Sequence, residues 1–324
     1  MTGSVQQQSE IAFGRDLVLS RKQLKPFTGR TNSHGLINLA GHLSLLCATG
    51  WLVYLAFGSW WILPAMLAHG FVMAFLFAPV HECSHGTTFR SRWLNETVYW
   101  LVCLTYLVPP TFFRYAHAAH HTYTQIRGHD PDMLPERMTV WSYVSFVLGV
   151  TFWKRNMQWF LFHPLGKINP AQRYFLPDSE IPRVVRESRI IVGLYAGIAV
   201  TAIAAGSWAP LVYWVIPRFI GEPFMRWFRI AEHAECMEGP DLRENTRTTR
   251  TSSWINSLFW NMPYHAEHHI CPMVPFHALP RLHQVVRDKL FPVGEGYLKV
   301  HADVLSQIVR RQGVTWKTHT TDSL

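Results

Sequence analysis

From Thr31 to His81 the chain runs for 51 residues without one Asp, Glu, Lys or Arg, and from Ile190 to Pro217 for 28 more. A helix needs about 20 apolar residues to cross the hydrocarbon core of a bilayer, so stretches this long exceed what a soluble core helix uses and place the chain in a membrane. Composition agrees: 48% of the 324 residues are hydrophobic and 16% are charged, against roughly 25% charged in soluble domains. A freely soluble protein is excluded, and so is a disordered one.

The first stretch divides at Gly58-Ser59-Trp60-Trp61 into apolar runs from Leu36 to Phe57 and from Trp61 to Val80, which predicts a helical hairpin. The second repeats the device. Gly206-Ser207-Trp208 separates a span starting near Arg189 from one starting near Leu211. Both tips carry tryptophan, a residue of the membrane interface. Arg218 interrupts the fourth span, which continues towards Phe228 only if that side chain snorkels. All charges lie outside the hairpins, so residues 1–30, 82–189 and 218–324 fall on one side of the membrane. Lys plus Arg exceed Asp plus Glu by 30 to 21, and the positive-inside bias makes that side the cytoplasm. The same bias accounts for the net charge of +9 without nucleic acid, which is not expected as a partner. Thr97 to Phe113 and Met138 to Trp153 are shorter apolar runs, suited to interfacial or cap helices. Residues 1–30 are polar and carry Arg15, Arg21, Lys22, Lys25 and Arg30, unlike a cleavable signal peptide. Five cysteines do not suggest a disulfide framework; reduced thiols are expected.

Nine of the eighteen histidines fall into four groups. His81 and His85 stand four residues apart. His117, His120 and His121 form H-x-x-H-H, and so do His265, His268 and His269, while His233 stands in A-E-H-A-E-C. Spacings of three and four bring imidazoles onto one helical face, where several can ligate one metal cluster. Eight or nine imidazoles exceed the four ligands of zinc or the six of octahedral iron, so two metals are expected. Nitrogen donors alone leave iron, copper, zinc and nickel open.

H-E-C-S-H, H-A-A-H-H and H-A-E-H-H, spaced around two membrane hairpins, resemble the three histidine boxes of the membrane fatty acid desaturase and hydroxylase family, over about residues 36–290. The segment from Trp260 to His283, W-N-M-P-Y-H-A-E-H-H-I-C-P-M-V-P-F-H-A-L-P-R-L-H, looks most like a bacterial branch that includes the dihydrorhizobitoxine desaturase. The resemblance implies two non-haem irons held by the nine histidines, dioxygen as oxidant, two electrons from an external donor, and hydrogen removal from an unactivated carbon. It also implies an all-α integral membrane fold: two transmembrane hairpins, at 36–80 and 189–228, and a cytoplasmic helical cap, at 81–188 and 229–290, that carries the di-iron site. Polar cytoplasmic segments, 1–35 and 291–324, flank this 36–290 domain. The substrate class stays open among fatty acyl chains, carotenoids, sphingoid bases and small amino-acid-derived metabolites. In acyl-CoA desaturases an Asn four residues before the isolated histidine helps hold one iron through water. That position is Arg229 here, and Asn261 is a candidate to serve instead.

Metal-bound histidines usually donate their second N–H to a carboxylate, for which Glu82, Asp130, Asp132, Glu232 and Glu267 are the nearby candidates. Asp130 and Asp132 equally suit a turn cap, and Glu82 and Glu267 suit direct ligation. Arg243, Arg247 and Arg250 form a basic stretch fit for a substrate anion or an acidic electron donor, ferredoxin-like or a cytochrome. No G-x-G-x-x-G occurs, so the donor is expected to be a separate protein. His42 and His69, inside the first hairpin, are expected to hydrogen-bond within the bundle, and the F-H-P-L-G at 162–166 lacks a surrounding haem domain. Two rival readings remain. H-E-C-S-H also satisfies the H-E-x-x-H of an intramembrane zinc protease, although six clustered histidines then lack a role. A non-enzymatic metal or haem carrier is the other.

Overall fold

The computed structural model describes residues 19–135, 137–290, 293–310 and 314–315; the first 18 residues and the last nine lie outside the described residues. The fold is almost wholly helical. A single two-residue antiparallel pair, Arg137–Met138 with Val314–Thr315, is the sheet content among the described residues. The described residues group into two compact units, one of Thr31–Ala116 with Ser145–Trp227, the other of the described parts of residues 1–30, 117–144 and 228–324.

The first of these units holds the apolar hairpins. Helix α1 (Ser33–Leu55) is 23 residues long, about 34 Å at 1.5 Å per residue and enough to cross the hydrocarbon core. It packs on α2 (Ile62–Ala74), which continues after a turn at Phe75-Leu76 into α3 (Phe77–Ser84). Three helical segments are long and apolar enough to cross a membrane: Ser33–Leu55, Ile62–Ser84 and Asp178–Ala204. The first and third expose Leu36, Ile37, Leu43, Leu194, Ile198 and Ile203, which only lipid makes favourable on so large a scale. Trp60, Trp61 and Trp208 are exposed at the two tips. Next along the chain come α4 (Arg92–Thr105) and α5 (Pro110–Tyr123), then α6 (Val140–Val147), α7 (Val150–Phe162) and α8 (Ile181–Ala204). Helix α8 starts about two turns before the expected Arg189. Pro182 opens it, and its first turns bury Glu187, which accepts hydrogen bonds from the backbone N and Oγ1 of Thr111 at 2.8 and 2.7 Å.

The return helix, α9 (Ile216–His233), follows a π-helical turn at Leu211–Val215. Pro217 has no N–H to give the Tyr213 carbonyl four residues back, so the regular ladder breaks there. The His69 imidazole hydrogen-bonds that carbonyl at 3.1 Å, and its other nitrogen meets Thr49 Oγ1 at 2.8 Å. His42 likewise binds the Val72 carbonyl at 2.9 Å. Both histidines therefore serve the bundle, as expected.

Arg218 does not snorkel. It is 3% exposed, pairs with Glu222, and lies over the Tyr106 ring at 4.1 Å. Glu222 also pairs with Arg226, so α9 carries a buried cation–anion–cation row at i, i+4 and i+8. The sequence reading offered only escape to the interface. Burial is possible because the carboxylate and the aromatic faces of Tyr106, Phe152 and Trp153 replace water around the charge.

Helices α2 and α9 touch backbone to backbone. A Cβ built on Gly221 falls onto the Gly70 carbonyl, and one on Gly70 falls onto the Pro217 carbonyl. Gly221→Ala is expected to lower stability by at least about 1–3 kcal/mol, the usual cost of overpacking. Gly41→Ala, with nothing within 4 Å of the new methyl, is the control; equal unfolding midpoints in detergent for both variants contradict this close crossing.

The second unit adds α10 (Ser253–Leu258), α11 (His265–Ile270), α12 (Leu279–Val286) and α13 (Tyr297–Arg310). Ile270, Cys271, Val274, Leu279 and Leu282 form a buried cluster with Leu24 and Phe27 packed on it. This apolar backing holds the short α11, which at six residues has little stability of its own.

Candidate metal centre

The last two turns of α5, the end of α9 and the whole of α11 bring seven histidines together in the second unit. Residues on a helix advance about 100° each, so the i and i+4 members of H-x-x-H-H share one face and the i+3 member looks to another. The two boxes use this reciprocally. His120 of the first box joins His265 and His269 of the second, with His233 as the fourth member, their donor atoms all within 4.8 Å of one another. His117 and His121 join His268, with Nε2 to Nε2 distances of 3.1 Å from His121 to each. In the other unit, His81 and His85 end α3 with ring centroids 5.3 Å apart.

Hydrogen bonds at the outward nitrogens fix how the four-histidine set presents itself. His120 Nδ1 donates to Asp130 Oδ1 at 2.8 Å, and His233 Nδ1 donates to the Asn245 carbonyl at 3.1 Å. The Thr124 hydroxyl gives its proton to the His120 carbonyl, so its oxygen accepts from His269 Nδ1 at 3.0 Å. With the proton on Nδ1, each Nε2 keeps its lone pair. Two of them face His265, whose Nε2 lies 3.2 Å from that of His233 and 3.1 Å from that of His269. Two nitrogens held cis at about 2.1 Å from one ion are about 3 Å apart. His120 Nε2 is buried with no hydrogen-bond partner among the described residues. A cation at the centre satisfies all four, so these residues fit a metal.

Electrostatics agree. Burial, then the neighbouring His120 charge, pushes His233 down to about 3. Burial followed by adjacent imidazoles takes His265 and His269 well below the usual histidine value. The three stay neutral and ready to ligate. His120 goes the other way, because burial is outweighed by the Asp130 carboxylate and its hydrogen bond. Burial raises the thiols of Cys236 and Cys271 to about 11 and about 12, which keeps them protonated. All five cysteines are free.

The remaining candidates divide. Glu82 accepts from His81 Nδ1 at 3.0 Å. Asp130 both holds His120 and caps its own turn, accepting from the backbone N of Gln125 and Asp132 at 2.9 Å. Asp132 pairs with Arg229 instead of a histidine, and Glu232 lies 3.3 Å from Arg229 and 3.6 Å from His265 Nε2. Glu267 accepts from Thr248 and His283, and Asn261 donates to the Phe276 carbonyl at 3.1 Å. Of the three arginines, Arg250 is exposed, Arg243 is half-buried and paired with Asp241, and Arg247 is buried, donating to the Ala231 carbonyl. Buried Arg247 offers no charge to a docking partner. Thr124, Asn245 and Gln125, whose amide donates to the His233 carbonyl at 3.0 Å, were not foreseen. Thr124 alone left a sequence signal, its place four residues after His120.

An all-helical chain with three apolar spans and histidine sets of this geometry defines a membrane metalloenzyme of the histidine-box class. The pattern of the fatty acid desaturase family matches residues 58–300, and the chain belongs to that family. It is 23% identical over 261 residues to an sn-1 oleoyl-lipid 12-desaturase of Picosynechococcus sp., covering 76% of this chain and 75% of that one. A human sphingolipid delta(4)-desaturase/C4-monooxygenase is 27% identical over 256 residues, 74% of this chain and 69% of the relative. A fatty acid conjugase of Calendula officinalis is 26% identical over 240 residues, 65% and 64% of the two chains. The protein is thus an oxidoreductase of the desaturase and hydroxylase type. Neither the peptidase reading nor the metal or haem carrier reading is supported.

Proposed function

We propose that this chain is a membrane-bound non-haem di-iron enzyme that desaturates or hydroxylates a lipid hydrocarbon chain. The observation that carries the reading is the convergence of imidazole nitrogens at His120, His233, His265 and His269 in a member of the desaturase family. In this reading His81, His85, His117, His121 and His268 supply the other donors, so nine imidazoles serve two irons. Bound iron supplies the reductive activation of dioxygen that an unactivated C–H bond requires. The chain's residues desolvate the donors, keep His233, His265 and His269 neutral, fix the tautomers of His120, His233 and His269 through Asp130, Asn245 and Thr124, and keep water from the oxidant. Relatives named for oleoyl-lipid and sphingolipid substrates support a lipid substrate here, as do helices that expose apolar faces.

The two electrons per turnover come in this reading from a separate ferredoxin-like or cytochrome donor, docking by complementary charge at Arg243 and Arg250. Such docking weakens as salt rises. The segment from Leu211 to Phe228 is a fourth span, and the histidines face the cytoplasm. Cysteines placed at Ser59 and Ser207 are then labelled from the periplasmic or lumenal side, and those at Thr88 and Thr249 from the cytoplasm. Labelling of Ser59 and Thr88 from one side overturns this topology.

Mass spectrometry of lipid extracts tests the activity. Cells expressing the protein should gain products lacking two hydrogens, or carrying one added oxygen, that are absent with the His268→Ala variant. Identical extracts from the two, with both proteins in the membrane, contradict the proposal.

A further inference from the structure

We propose that Glu232 is a direct ligand, the fifth from protein, of the ion held by His120, His233, His265 and His269. The inference rests on the di-iron reading above and adds a residue to one of its two sites.

Glu232 immediately precedes His233 near the end of α9, and its side chain is 3% exposed. Its Oε2 lies 3.6 Å from Nε2 of His265, the nitrogen that faces the other three imidazoles. Cis ligands of one ion are about 3 Å apart, so a small side-chain rotation brings the carboxylate into the coordination sphere. Among the described residues, the two carboxylates nearest to it are placed otherwise. Asp130 sits on the outward Nδ1 of His120, and Asp132 is turned to Arg229.

Charge points to the same assignment. Three carboxylates, Asp130, Asp132 and Glu232, gather here against one guanidinium, Arg229, which pairs with both Asp132 and Glu232. Asp132 and Glu232 share that one guanidinium, a carboxylate-rich setting that suits a divalent cation. Arg229 has no lone pair with which to ligate. It instead holds Glu232, its Nε lying 3.3 Å from Oε2, as outer-shell partners of ligating carboxylates do. Four imidazoles and a carboxylate fill five positions of an octahedral iron and leave one for an exogenous ligand. Mixing nitrogen with oxygen donors also suits iron.

The test compares purified, iron-loaded wild type with Glu232→Gln and Glu232→Ala by metal analysis, chelator release and Mössbauer spectroscopy. Glu232→Gln keeps the volume and an acceptor for Arg229 but loses the carboxylate. One iron's Mössbauer signal should change while the other's stays, and that iron should leave to chelator at least about tenfold faster. Unchanged signals and release within about twofold in Glu232→Gln overturn the proposal, even if Glu232→Ala loses iron, since packing alone explains that loss. Where Glu232→Gln does not accumulate, infrared difference spectra of wild type with carbon-labelled glutamate decide: metal loading shifts a glutamate carboxylate band, and no shift overturns the proposal. Wild type that takes up no iron instead sinks the di-iron reading itself, so the two failures are distinct.

Discussion

Alanine at His120, His233, His265 or His269 is expected to abolish substrate oxidation and, on the di-iron reading, to deplete the protein of one of two metals. Losing even an outer-shell partner of a metal ligand costs about 10–100-fold in affinity or activity, so losing a ligand is expected to cost more than about 100-fold. The four side chains are buried and their Nε2 atoms converge. A missing ring leaves three donors around a pocket that water cannot complete with the same geometry. Membrane insertion should be unaffected, because none of the four lies in an apolar span. Product formation per unit of membrane-inserted protein measures the effect. Turnover within about tenfold of wild type in all four variants removes these histidines from the chemistry.

Glu222→Gln is expected to be the most damaging single change in the membrane unit. Its carboxylate stands between the buried guanidinium groups of Arg218 and Arg226, and glutamine removes the charge while keeping the shape. Two buried cations then lose the carboxylate between them, and breaking a buried pair costs about 3–5 kcal/mol. Replacing all three by apolar residues of similar size should cost far less, since an intact buried triad and a packed apolar cluster are often close in stability. Detergent unfolding midpoints report both. A Glu222→Gln midpoint equal to that of wild type means the row is solvated and the burial argument fails.

The comparison of these two sites shows what a sequence discloses. Charge-free runs disclosed three apolar spans because a bilayer tolerates little else, and the Gly-Ser-Trp tips stand where helices end. The histidine boxes were legible as metal-binding, but not the way each divides between two sets, since i+3 and i+4 neighbours diverge by about 100° around the helix. Arg218 was misread because a charge beside an apolar run has two solutions, escape or pairing, and only the packing of α9 against Tyr106 and Phe152 selects the second. The partners of His233 and His269 were hidden for another reason. A backbone carbonyl at Asn245 and a hydroxyl at Thr124 do what a carboxylate was expected to do, and a backbone group carries no residue-type signature. His69 and Pro217 could have been linked in principle, as the missing N–H of the proline predicts an open carbonyl at Tyr213, but nothing in the sequence says which donor reaches it.

The most direct test of the account is the metal content of the purified, detergent-solubilised protein. Elemental analysis should find close to two irons per chain and little zinc, with the His233→Ala variant retaining about one. One zinc and no iron contradicts the di-iron reading outright.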